Sequence, residues 1–128
     1  MSEDIAVKSP ATVERDPWGS LFRAAFWIVL SAVLILSSMP NPPNMPPNTD
    51  KMQHAAAFFT LVLLGGLAYP RISLLKLVIG LAAFGALIEF VQAIPVLHRQ
   101  TELLDWVADV GGIAAAIVVL GAWRAIRR

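Results

Sequence analysis

The chain has 128 residues, of which 57% are hydrophobic and only 15% charged, whereas soluble domains carry about 25% charged residues and at this size expose much of their surface. That balance excludes an ordinary soluble domain and marks a membrane protein. The absence of cysteine excludes disulfides, thiolate metal sites and a cysteine nucleophile, and a net charge of +1 without a basic cluster gives no footing for a nucleic-acid partner.

At about 20 residues per membrane helix, the length accommodates one all-α domain, a multi-pass bundle of four transmembrane helices. Residues 1–20 mix charges and prolines without a sustained apolar period and read as a flexible tail. The membrane domain then occupies 21–128. Its first span covers about 21–39, with Arg23 able to snorkel to the interface. Residues 40–48 hold five of the nine prolines, so this stretch is an extended loop outside the hydrocarbon. The second span covers about 52–69, the third about 74–94 up to Pro95, and the fourth about 103–123. Ala108, Gly112 and Ala116 recur every four residues on the last helix, the small-residue pattern that lets backbones approach in lipid. Gly65, Gly66, Gly80 and Gly85 are expected to serve helices two and three in the same way.

With four spans, both termini share a side with the 71–76 loop. That side carries Lys8, Arg15, Arg23, Arg71, Lys76, Arg124, Arg127 and Arg128, against Lys51 and Arg99 on the other. The positive-inside rule then places both termini in the cytoplasm. Trp18, Tyr69 and Trp123 are expected at the cytoplasmic interface and Trp106 at the outer one.

Outside the tail, the ionisable residues Asp50, His54, Glu89, His98, Glu102, Asp105 and Asp109 all fall toward the outer surface. Asp50/His54 and Asp105/Asp109 are i,i+4 pairs and Glu89/Gln92 an i,i+3 pair, so each pair shares one helix face. By helical rise, Glu89 lies about 12 Å in from Leu97, and Asp109 about 6 Å beyond Asp105. A charged side chain inside a span costs about 2.5–3.5 kcal/mol, so these groups are expected to face one another in the bundle. Lys51, His54, Arg99 and His98 are the candidate cationic partners, with Arg99 expected to pair with Asp105 or Glu102. Asp50, three residues before Gln53, is expected to cap the second helix.

Three blocks in order carry a family resemblance: Asp50-Lys51-Met52-Gln53-His54, then Gly85-x-x-x-Glu89-x-x-Gln92, then Arg99-x5-Asp105-x3-Asp109-x-x-Gly112. Over about residues 48–118 the chain resembles the VanZ-like family of small bacterial integral membrane proteins. The family commonly carries Asn where this chain has Asp109. The resemblance implies a cell-envelope protein linked to teicoplanin (glycopeptide) susceptibility, and it implies no particular reaction.

The expected polar pocket therefore comprises Asp50, Lys51, His54, Glu89, Gln92, Arg99, Asp105 and Asp109, opening outward. It would bind a lipid headgroup, a cell-wall precursor or a glycopeptide. An intramembrane enzyme is the rival, with Glu89 or His54 as acid or base and Arg99 stabilising an anion. A scaffold working through its Gly/Ala faces is the third reading. No metal or cofactor is assigned, because no H-E-x-x-H motif is present. A divalent metal stays open, since His54, Glu89, Asp105 and Asp109 offer one nitrogen and several oxygens, which suits Mg²⁺ or Mn²⁺ better than zinc.

Overall fold

The computed structural model describes residues 16–40, 44–98 and 102–128. The N-terminal tail up to residue 15, the middle of the proline loop and Arg99 lie outside the described residues. Four helices follow one another: α1 (Pro17–Ser38), α2 (Thr49–Ala68), α3 (Leu74–Gln92) and α4 (Leu103–Ile126). A 3-10 turn, Pro95–Leu97, joins the last two. All four are long and apolar enough to cross a membrane, with lengths of about 28–36 Å by helical rise against a hydrocarbon core of about 30 Å. The chain is a multi-pass membrane protein.

The helix ends depart from the sequence expectation for local reasons. α1 begins at Pro17 rather than at 21, because the Asp16 side chain accepts from Trp18 N at 3.1 Å and Pro17 needs no helical N–H at that position. α2 begins at Thr49 rather than 52. Its N-cap is Asn48 in the left-handed region (φ 65°), with no side-chain capping bond, so Asp50 is a first-turn residue and not the cap. Ser73 caps α3, accepting from Lys76 N at 3.2 Å. α3 ends at Gln92, two residues short of expectation, since Ile94 precedes a proline and is extended (φ −67°, ψ 120°). His98 closes the turn in the left-handed region (φ 49°). α4 continues to Ile126, with Arg124 in its last turn complementing the helix dipole.

α2 is the central helix, packed most extensively on α4 and then on α1, while α3 lies against α4, α2 and α1. The core runs along this seam through Phe58, Leu61, Val62, Ile88, Ile113 and Ala116. Gly112 sets its closest point: a Cβ there would overlap the Ala55 carbonyl, so two backbones meet directly. Gly65 makes room for Leu77, Gly66 for Leu120 and Gly85 for the Asp109 carboxylate. Gly80 departs from the expected packing role, since a Cβ on it would meet nothing within 4 Å. The outer faces carry Ile28, Leu36, Leu75, Phe90 and Val118, all exposed, while Gln92, Asp105 and Asp109 are inside. Apolar side chains outside and carboxylates inside is the arrangement that hydrocarbon selects.

The two ends of the bundle differ. At the end where α1 and α3 begin, Trp27 Nε1 donates to Tyr69 Oη at 2.8 Å, and the Arg127 guanidinium lies 4.5 Å from the Trp123 ring centroid. Trp106 starts near the opposite end but turns inward, donating to the Ala82 carbonyl of α3 at 3.2 Å. Its polar atom is used inside the bundle, not at an interfacial belt. The carboxylates and the histidine of the helices collect at that opposite end, where α2 and α4 begin.

Candidate functional site

α2 and α4 run in the same direction from the polar end, so their i,i+4 pairs stack in two layers. Asp50 and Lys51 of α2 meet Glu102 and Asp105 at the start of α4. One turn deeper, His54 of α2 meets Asp109 of α4, and Glu89 of α3 closes the third side. The contact between Ala55 and Gly112 lies next to this deeper layer, and it is why α2 and α4 can share so short a bond there.

In the outer layer, Lys51 Nζ lies 2.8 Å from Glu102 Oε2, 3.7 Å from Asp105 Oδ1 and 3.8 Å from Asp50 Oδ2. One oxygen from each of these three carboxylates lies within 4.8 Å of the others. The ammonium therefore sits among three acids, held by a charge-assisted hydrogen bond to the nearest. The expected pairing of Asp105 or Glu102 with Arg99 falls outside the described residues; among the described residues, Lys51 is the cation at both acids. Glu102 belongs to this layer although the sequence reading left it out of the pocket. Its i,i+3 spacing from Asp105 was the available signal.

In the deeper layer, His54 Nδ1 is 2.7 Å from Asp109 Oδ1. When Asp109 is ionised its carboxylate can only accept, and Nδ1 then carries the hydrogen and donates it. Asp109 is fully buried and His54 nearly so, with side chains 0% and 12% exposed. Donor atoms of His54, Glu89 and Asp109 all lie within 4.8 Å of one another. Glu89 is buried and sits about 5 Å from the end of α3 by helical rise; the 12 Å expected was counted from Leu97, which lies outside α3 in the 3-10 turn.

Gln92 is also buried, and its Nε2 donates to the Ser37 carbonyl at 3.0 Å, which brings the end of α1 against the site. Nothing in the sequence pattern pointed to α1 here, because a backbone carbonyl leaves no residue signature. Of the expected pocket residues, the structure brings together Asp50, Lys51, His54, Glu89, Asp105 and Asp109, while Gln92, one turn after Glu89, bonds to the end of α1. His98 stands exposed beyond the 3-10 turn and does not join them.

Chemically, the arrangement offers an imidazole oriented by a buried carboxylate, a second carboxylate beside it, and one ammonium nearer the surface. Acids outnumber cations, so it favours groups that donate hydrogen bonds or carry positive charge over a bare anion. No protein-family model, curated protein or solved structure matches the chain.

Proposed function

We propose that this protein is a VanZ-like membrane protein of the bacterial cell envelope whose polar chamber binds the headgroup of a lipid or lipid-linked wall precursor. Both termini lie in the cytoplasm and the chamber faces the outer leaflet, as the eight-to-two division of Lys and Arg supports. The observation that carries the reading is the deeper layer: three helices each commit a titratable side chain to one point inside a membrane bundle. A charged group costs about 2.5–3.5 kcal/mol to insert at the centre of a span and less toward its ends, and a helix seam made of Phe58, Leu61 and Ile113 has no packing need of such groups. The excess of carboxylates suits the hydroxyl, amide and amino groups of a sugar- or peptide-bearing headgroup.

Scaffolding through small residues is the weaker alternative, because Gly65, Gly66, Gly85 and Gly112 are already used against side chains or backbone of this same chain. The test is identification of co-purified lipid by mass spectrometry from native membranes. Wild type should retain a defined headgroup class that Glu89→Gln loses while remaining folded and inserted, and the same substitution should abolish any effect on teicoplanin susceptibility. An identical lipid complement in both proteins contradicts the reading.

One observation favours a second reading, an intramembrane acid/base enzyme. The His54–Asp109 pair has the form of a histidine held in one orientation by a buried acid, the arrangement used for general-base catalysis. Conversion of the retained lipid by wild type but not by His54→Gln would establish it, and recovery of the lipid unchanged would leave binding alone.

A further inference from the structure

At the end of the bundle opposite the polar chamber, a cavity of about 580 Å³ lies between the first turns of α1 and the turn joining α2 to α3. Two guanidinium groups line it, Arg23 from α1 and Arg71 from the turn, beside apolar walls that include Leu67, Pro70 and Ile72. We propose that this cavity binds the phosphate of an anionic phospholipid from the leaflet at that end, held between Arg23 and Arg71. The site is separate from the chamber around Glu89 and does not rest on what that chamber binds.

Three observations support the assignment. The first is the setting of Arg23. It lies about 9 Å along α1 from Pro17 by helical rise, within a helix long and apolar enough to span a membrane. Its side chain runs back toward the start of the helix. Nη2 donates to Ser20 Oγ at 3.1 Å, and Nη1 lies 3.1 Å from where a Cβ on Gly19 would stand. Its polar partner among the described residues is thus a neutral hydroxyl, and neither Arg23 nor Arg71 makes an ion pair among them. A cation in a span calls for a counter-charge, and a lipid phosphate at the interface supplies one.

The second is the balance of charge. Asp16 also lines the cavity, so two guanidinium groups stand there against one carboxylate, and one oxygen of that carboxylate already accepts from Trp18 N. Among the described residues Asp16 is the only acidic side chain at this end, which also carries Lys76, Arg124, Arg127 and Arg128. A concave site inside a positive field concentrates anions.

The third is the wall. The Tyr69 hydroxyl accepts from Trp27 Nε1 at 2.8 Å, and its ring meets the Phe26 ring edge-on, so the turn carrying Arg71 is fastened to α1. Both arginines are therefore presented by anchored backbone. Guanidinium groups grip phosphate oxygens through paired hydrogen bonds. Leu67, Pro70 and Ile72 add apolar surface that free phosphate would leave bare and that the glycerol and upper acyl chains of a lipid would cover. A basic pocket between membrane helices is a recurrent form of phospholipid headgroup recognition.

The test uses full-length protein in detergent, mixed with equal amounts of phosphatidylglycerol and phosphatidylcholine, with retained lipids counted by native mass spectrometry. Wild type is expected to hold one phosphatidylglycerol in preference to phosphatidylcholine. Arg23→Gln and Arg71→Gln should each weaken that preference about fivefold. Lys76→Gln, at the same end but outside the cavity, should leave it unchanged. Both arginines are exposed, and should Arg23→Gln alter helix content, Arg71→Gln carries the comparison.

Equal retention of the two lipids by wild type overturns the proposal. So does a preference that survives both arginine substitutions, or one that falls equally in Lys76→Gln and so reflects only the general charge of this end. Displacement of the lipid by millimolar inorganic phosphate would give the cavity to a free anion and overturn the lipid assignment. Lipid held in the polar chamber should be lost in Glu89→Gln and kept in the arginine variants, so each site can fail without the other.

Discussion

Gly112→Ala is the smallest change that reaches both the fold and the site. A Cβ at position 112 would overlap the Ala55 carbonyl, carbon and Cα, which are backbone atoms and cannot rotate away. Restoring ordinary contact, which begins at 3.4 Å, requires α2 and α4 to part by about 1 Å at this level, an overpacking strain of about 1–3 kcal/mol. The same movement would stretch the His54–Asp109 bond from 2.7 Å to about 3.7 Å, beyond hydrogen-bonding range. Losing a bond to a charged acceptor adds about 1.5–3 kcal/mol. Gly111 provides the control one residue away, since a Cβ there would meet nothing within 4 Å. Gly111→Ala should be neutral or stabilising by about 0.5–1 kcal/mol through helix propensity alone. Denaturation of the two variants in mixed micelles, followed by circular dichroism, should separate them by about 2 kcal/mol or more. Equal stability would refute the account of how α2 and α4 are held together.

Other expectations follow from single contacts. Lys51→Met leaves Asp50, Glu102 and Asp105 facing one another without their ammonium; it should lower stability only slightly, because the pair is partly exposed, and the loss should shrink in high salt. Trp106→Phe removes the bond to the Ala82 carbonyl and should cost about 1 kcal/mol in the same micelle assay, whereas an interfacial Trp would tolerate the change. Reporter fusions after residue 128 and at Asn44 should report opposite sides of the membrane, the first cytoplasmic. A periplasmic C-terminus would invert the placement of the chamber.

The lengths of the spans were legible because hydrocarbon thickness imposes them, and the prolines at 40, 70 and 95 mark where they break. Terminal turns were less so. Asp16 extends α1 through one side-chain bond, and Ile94 is drawn out of α3 by the proline after it. The shared faces of Asp50/His54, Glu89/Gln92 and Asp105/Asp109 follow from helical periodicity, but which faces meet depends on helix rotation. That rotation is set here by a backbone contact, Gly112 on Ala55, that only coordinates reveal. For the same reason Gly80 and Gly85, alike in sequence, differ completely: one faces open space and the other seats the Asp109 carboxylate. Partner choice was the least legible. Lys51 pairs with Glu102 because it leaves α2 opposite the start of α4, a placement that helical spacing within one helix does not give.

The account rests on His54 being bound inside the bundle to Asp109, and nitrogen-15 NMR of histidine-labelled protein in lipid observes that bond directly. The chain contains only two histidines, and His98 is exposed. One ring should show an Nδ1–H engaged with a carboxylate and protected from exchange with water, and that signal should vanish in Asp109→Ala. Two rings that both exchange freely, or a protected signal that survives Asp109→Ala, would contradict it.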